Sequence, residues 1–311
     1  MRRCLNQLRD QYDSPALLRV RHSKSYRLAW LLLALACGSG ARTALAQEPV
    51  SPSSSASEIT DPCIDPSTHP ATKEALRLVC SRTPVPVANR PAHRAVVIGF
   101  LGGYTKRSDV KHPEVVFANY LRIRYGPSVQ AAAFGNHETQ KAFELIRGGT
   151  DPDKNGAQSS AEKEPVKIIL YGHSWGAAQV LEFARELERH SIPVALTIQI
   201  DSVHKMGQND RTVPANVARA VNFYQRRGLT PGRPLIVAEN AERTTILDNL
   251  HMTYKPEEIQ CDNYGWFSRV FNKPHHQIEN DPRIWDQIVT LIDSELLHPD
   301  KVEAQPRSST R

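Results

Sequence analysis

Gly172-His173-Ser174-Trp175-Gly176 is the segment of this sequence best suited to chemistry. A serine hydroxyl is a weak nucleophile until a neighbouring base takes its proton. Glycines two residues to either side permit a turn too tight for bulkier residues, which lifts the hydroxyl clear of the backbone. The apolar run Val166–Tyr171 precedes this segment and a helical pattern over 177–190 follows it. Ser174 therefore stands where a strand passes into a helix, and the positive end of the helix dipole favours an oxyanion there. The chemistry implied is attack on an acyl carbonyl. The bland alternative is a glycine-rich turn with an idle serine.

Such a serine must be positioned by alternating strands and helices, and the sequence supplies them. Continuous apolar runs at 95–100, 129–134, 166–171 and 194–200 read as strands buried on both faces. Helical patterns lie near 71–80 and over 112–124, 139–147, 177–190 and 285–297, with weaker elements at 217–225 and 235–238. The alternation predicts an α/β fold, a single domain over 94–300 with a mostly parallel sheet and helices on both faces.

In this setting Gly172–Gly176 resembles the nucleophile elbow of the α/β-hydrolase superfamily, in particular its serine esterases and lipases, over roughly residues 94–298. The resemblance implies a triad in the chain order Ser, Asp, His, with Ser174 as nucleophile. It places the base in the loop His275-His276-Gln277-Ile278, just before the closing helix, in a register that favours His275 over His276. Asp201, which ends the strand 195–200, is the first choice of acid, although the commoner family position is one strand later. Asp210 follows, in Asp210-Arg211-Thr212-Val213-Pro214, which resembles the Asp-x-Val-Pro segment of another lipase group; Asp248 is third. Gly99-Phe100-Leu101-Gly102-Gly103 stands where many relatives carry His-Gly-x-Gly, with Ile98 in place of the histidine. By that similarity the oxyanion donors are the backbone N–H groups of Trp175 and Phe100, with Leu101 in reserve. His173 is expected to pack beside the serine, while His204 and His251 read as surface or core residues. Tyr264-Gly265-Trp266-Phe267 is either an acyl-pocket lining or a packed loop.

No cofactor and no metal are expected. The glycines at 99–103 lack the Gly-Lys-Ser or spaced dinucleotide pattern of a phosphate loop. Asp151, Asp153, Asn155 and Glu162, with Gly156, match calcium-loop spacing, but position 8 is Gln158 and Pro165 and a strand replace the second helix. That stretch reads as a solvated insertion. Cys63 and Cys80 flank the first helical pattern and are expected to pair, leaving Cys261 free.

The chain has 311 residues and a net charge of +6, yet residues 1–46 hold eight basic and two acidic side chains and so carry all of it. The remainder is balanced, and a nucleic-acid partner is not expected. Residues 1–46 read as an export signal: a basic stretch to Arg27, the apolar run Leu28–Cys37, and Ala44-Leu45-Ala46 before Gln47. Ten apolar residues reach only about 15 Å as a helix, half a bilayer core, so no permanent span is expected. Residues 47–93 form a Ser/Pro-rich spacer and N-terminal segment, and 301–311 a polar tail. The expected activity is hydrolysis of a carboxylic ester, small-molecule or lipid, by an enzyme exported to the periplasm or beyond. The competing expectations are a non-catalytic binding protein on the same scaffold, or an acyltransferase or peptidase using the same triad.

Overall fold

In the computed structural model, which describes residues 61, 63–86, 95–150 and 166–297, the four apolar runs form strands. They are β1 (Ala95–Leu101), β2 (Val129–Gly135), β3 (Lys167–His173) and β4 (Val194–Ile200). Two further strands, β6 (Val217–Tyr224) and β8 (Thr245–His251), extend the sheet to the order β2-β1-β3-β4-β6-β8, and every pairing is parallel. The short β5 (Thr212–Val213) and β7 (Val237–Ala238) pair separately.

Alternation along β1 feeds a core on each face. Val97 and Leu101 join Phe117 and Leu121 of α3 (Pro113–Tyr125) and Trp285 and Ile288 of α8 (Pro282–Leu297). Val96, Ile98 and Phe100 face Ala142 and Ile146 of α4 (Thr139–Thr150) and Val180 and Phe183 of α5 (Trp175–Arg189). Burial on both faces explains why these strands read as unbroken apolar runs. The helices on both faces and the parallel sheet make this an α/β fold.

Three elements differ from the sequence expectations. The helical pattern at 71–80 divides at Leu76 into α1 (Pro70–Ala75) and α2 (Arg77–Cys80), and a Cys63–Cys80 disulfide ties that segment back on itself. Arg82 then pairs with Asp286 and Asp293 of α8. The strand β8 was not foreseen, because its Thr-Ile-Leu-Asp-Asn-Leu-His sequence is half polar, as suits an edge strand. The histidine segment is not a loop but a pair of short helices, α6 (Trp266–Phe271) and α7 (Lys273–Glu279), the second begun by Pro274 in its first turn.

All described residues belong to the unit Ala56–Arg311. The expected leader 1–46 and its expected Ala46/Gln47 cleavage site, the first part of the 47–93 segment, the Asp151–Glu162 stretch and the tail 301–311 lie outside the described residues. Among the described residues, no helix is long and apolar enough to cross a membrane.

The connections from β1 lead to β2 on one side and onward to β3 on the other. At such a switch point the loops leaving the strand carboxyl ends diverge and open a crevice. Gly102, Ser174 and Asp201 each directly follow the end of β1, β3 or β4, so the sheet itself brings them to that edge.

Candidate active site

Ser174 occupies the turn between β3 and α5 with φ 58° and ψ −124°. A non-glycine residue in this region is strained, and the surroundings must hold it there. They do so through backbone bonds: Ser174 N–H donates to Ile200 O (3.0 Å), and Val203 N–H donates to Ser174 O (3.3 Å). The flanking glycines are required by close approach. A Cβ on Gly172 would lie 2.6 Å from Gly176 O, and one on Gly176 would overlap the carbonyl of Phe100 in β1.

Asp201 is also left-handed, with φ 47°, and is fully buried. Its carboxylate accepts three hydrogen bonds. His275 Nδ1 donates to Oδ2 at 2.6 Å, Gln225 Nε2 donates to Oδ2 at 2.8 Å, and Gln225 N–H donates to Oδ1 at 2.9 Å. A carboxylate can only accept, so His275 carries its proton on Nδ1 and presents Nε2 as a base. Gly232 packs so closely on Asp201 that any side chain there would displace the carboxylate. The other two candidate acids are placed elsewhere. Asp210 is held by Arg233 (2.7 Å) and accepts from Ser202 Oγ (3.0 Å), and Asp248 is exposed on β8.

His275 and His276 are neighbours on a helix, so their side chains diverge by about 100° rather than pointing oppositely as in an extended loop. His276 turns to Ser268 Oγ (2.6 Å) and stacks on Tyr264, with ring centroids 3.7 Å apart. His204 is exposed, 3.7 Å from Asp210, and His251 stacks on Tyr224 at the sheet edge.

Ser174, Trp175, His275 and His276 line one cavity of about 440 Å³, together with Gly102 and Tyr264. Among the described residues no hydrogen bond joins the Ser174 hydroxyl to His275; such contacts commonly tighten only when substrate binds. Trp175 is the first residue of α5, so its N–H has no acceptor within the helix. Phe100 does not line this cavity. It sits inside β1, paired with Phe134 and Gly172, and its ring packs edge-on against Phe183. The structure brings Gly102 there instead. Asn136 Nδ2 donates to Leu101 O at 3.1 Å from the β2 side, and in a trans peptide the Gly102 N–H points away from that carbonyl. A Cβ on Gly102 would come within 3.0 Å of Ser174 Cβ. Sequence reasoning missed Gly102, Gln225 and Gly232. The position of Gln225 directly after β6 was the available signal.

Burial depresses the imidazoles behind the serine, His173 to about 3 and His276 to about 4. The unfolded value is near 6.5, so the unfolded chain binds more protons between those limits. The stability contributed by neutral His276 is complete above pH 6.5 and is lost as pH falls towards 4. Relative to a His276→Gln variant, the parent therefore loses on the order of 1 kcal/mol per pH unit over that interval. Urea midpoints of the two proteins, compared at each pH, measure this; a difference that stays constant with pH contradicts it.

The sheet and these contacts define an α/β protein with a buried Asp–His pair beside a strained serine at the carboxyl edge. No family model matches the chain, and no curated protein matches it.

Proposed function

We propose that this chain is a serine hydrolase of the α/β-hydrolase type, cleaving carboxylic esters through Ser174, His275 and Asp201. The observation that carries this reading is the 2.6 Å bond from His275 Nδ1 to buried Asp201, on the wall of the cavity that also holds strained Ser174. His275 Nε2 takes the hydroxyl proton as Ser174 Oγ attacks the ester carbonyl, and Asp201 stabilises the imidazolium formed. The backbone N–H groups of Trp175 and Gly102 face the developing oxyanion, with the α5 dipole adding to the field. Imidazolium then returns the proton to the leaving alcohol, and water repeats the sequence to release the acid.

The cavity's size suits a small or medium acyl group. The basic leader supports action after export. A fluorophosphonate probe tests the reading without knowledge of the substrate: it attaches to Ser174 in the parent and not in Ser174→Ala.

A further inference from the structure

Behind Ser174 lies a second cluster that ester hydrolysis does not use. His112 caps the start of α3, Glu114 stands in its first turn, His173 ends β3 and Glu279 ends α7. Ligand atoms from His112, Glu114 and Glu279 all lie within 4.8 Å of one another. Both carboxylates are about 1% exposed. Among the described residues neither is paired with a lysine or arginine; their ion-pair partners are His112 and His173. Both oxygens of Glu114 are buried without any hydrogen-bond partner. A buried carboxylate in that state is neutralised either by a proton, which burial and the Glu279 charge favour by raising its pKa, or by a cation bound between the two carboxylates.

His173 favours the cation. Its Nε2 lies 3.2 Å from the carbonyl of His275, which can only accept. The single N–H of a neutral ring is used there, so Nδ1 turns a lone pair towards Glu279 Oε2 (3.2 Å) and Glu114 Oε1 (3.6 Å). His112 Nδ1 is 2.9 Å from the other oxygen of Glu279. Four N and O ligands around one zinc ion, at bonds of about 2.0–2.2 Å, sit about 3.3–3.6 Å apart. Three of the spacings, at 2.9, 3.2 and 3.6 Å, lie near that range, and the ligand atoms of His112, Glu114 and Glu279 stay within 4.8 Å of one another. An outer layer is also present: Tyr264 OH donates to Glu279, and His173 donates its remote N–H to a backbone carbonyl, as metal-bound histidines commonly do.

We propose that Glu114, Glu279, His112 and Nδ1 of His173 bind one divalent transition-metal ion, with zinc the best match to two carboxylates and two imidazoles. The ion neutralises the two buried carboxylates and clamps α3, β3 and α7 together. Through His173 it steadies the His275 backbone, so its role is to position the base rather than to touch substrate.

The test needs no ester and stands whether or not Ser174 is nucleophilic. Full-length protein stripped with chelator is equilibrated with zinc, desalted, and its metal content measured by mass spectrometry. The expected result is one equivalent per chain in the parent and under a tenth in Glu114→Gln, with a rise of several degrees in the parent's unfolding temperature. His112→Gln, a partly exposed position, serves as a second variant should Glu114→Gln fail to fold. No retained zinc in the parent, or an undiminished equivalent in the folded variant, overturns the proposal. The first of these results would assign a shared proton to the Glu114–Glu279 pair.

Discussion

Asp201→Asn lowers turnover of a soluble ester by a factor of roughly 10³–10⁴ while circular dichroism shows the fold intact. The amide removes the charge that stabilises imidazolium, and its NH₂ can force His275 into the tautomer that points a proton, not a lone pair, at Ser174. Asp210→Asn is the matched comparison. It is equally buried, but its partners are Arg233 and Ser202 rather than a cavity histidine. That change costs stability on the order of 1–3 kcal/mol, because Arg233 loses its ionised partner, yet turnover of the folded protein stays within about tenfold of the parent. Steady-state rates for the two variants, corrected for folded fraction, check this. The reverse ranking moves the acid to Asp210.

Gly176→Ala has the next largest effect. Its methyl group would overlap Phe100 O and press on the Phe100 and Leu101 carbonyl carbons, all of them backbone of β1. Backbone cannot swing aside as a flexible side chain can, so either α5 or β1 shifts. The expected destabilisation is about 3 kcal/mol. Activity falls by roughly 10²-fold, because a displacement near 1 Å at Ser174 spoils the attack geometry. Gly148→Ala, in α4 with nothing within 4 Å of the added Cβ, is the control. It is neutral or stabilising by about 0.5–1 kcal/mol. Similar midpoints for both variants would contradict the close-packed elbow.

Much of the scaffold was legible because both-face burial writes itself as unbroken apolar runs, and β1 to β4 fall within two residues of those runs. β8 escaped because an edge strand with one wet face needs polar residues, and its Asp248-Asn249 pair resembles a turn. The α6–α7 pair escaped because helices of six and seven residues hold too little periodicity to read. At the candidate site, strand-end position pointed to Ser174 and Asp201, and the resemblance to hydrolases pointed to His275; the structure brings His275 and Asp201 into contact.

Which backbone N–H stands free beside Ser174 was not legible in the same way. The Leu101 carbonyl is held by Asn136, 35 residues away in the chain. The glycine cluster narrows the choice to a few neighbours but cannot say which N–H is free. The Glu114–Glu279 cluster was invisible for a related reason. His112 and Glu279 are 167 residues apart, and no local spacing announces ligands that only the packing of α3 against α7 brings together.

The central claim is that Ser174 is an activated nucleophile served by His275 and Asp201. The most direct measurement is peptide mapping by mass spectrometry after brief exposure of the folded, full-length protein to a fluorophosphonate. One phosphonyl adduct is expected, on the peptide containing Ser174, with labelling slowed by orders of magnitude in Asp201→Asn and in a His275 variant. An unlabelled Ser174 in folded protein, or labelling that proceeds equally fast without His275, contradicts it.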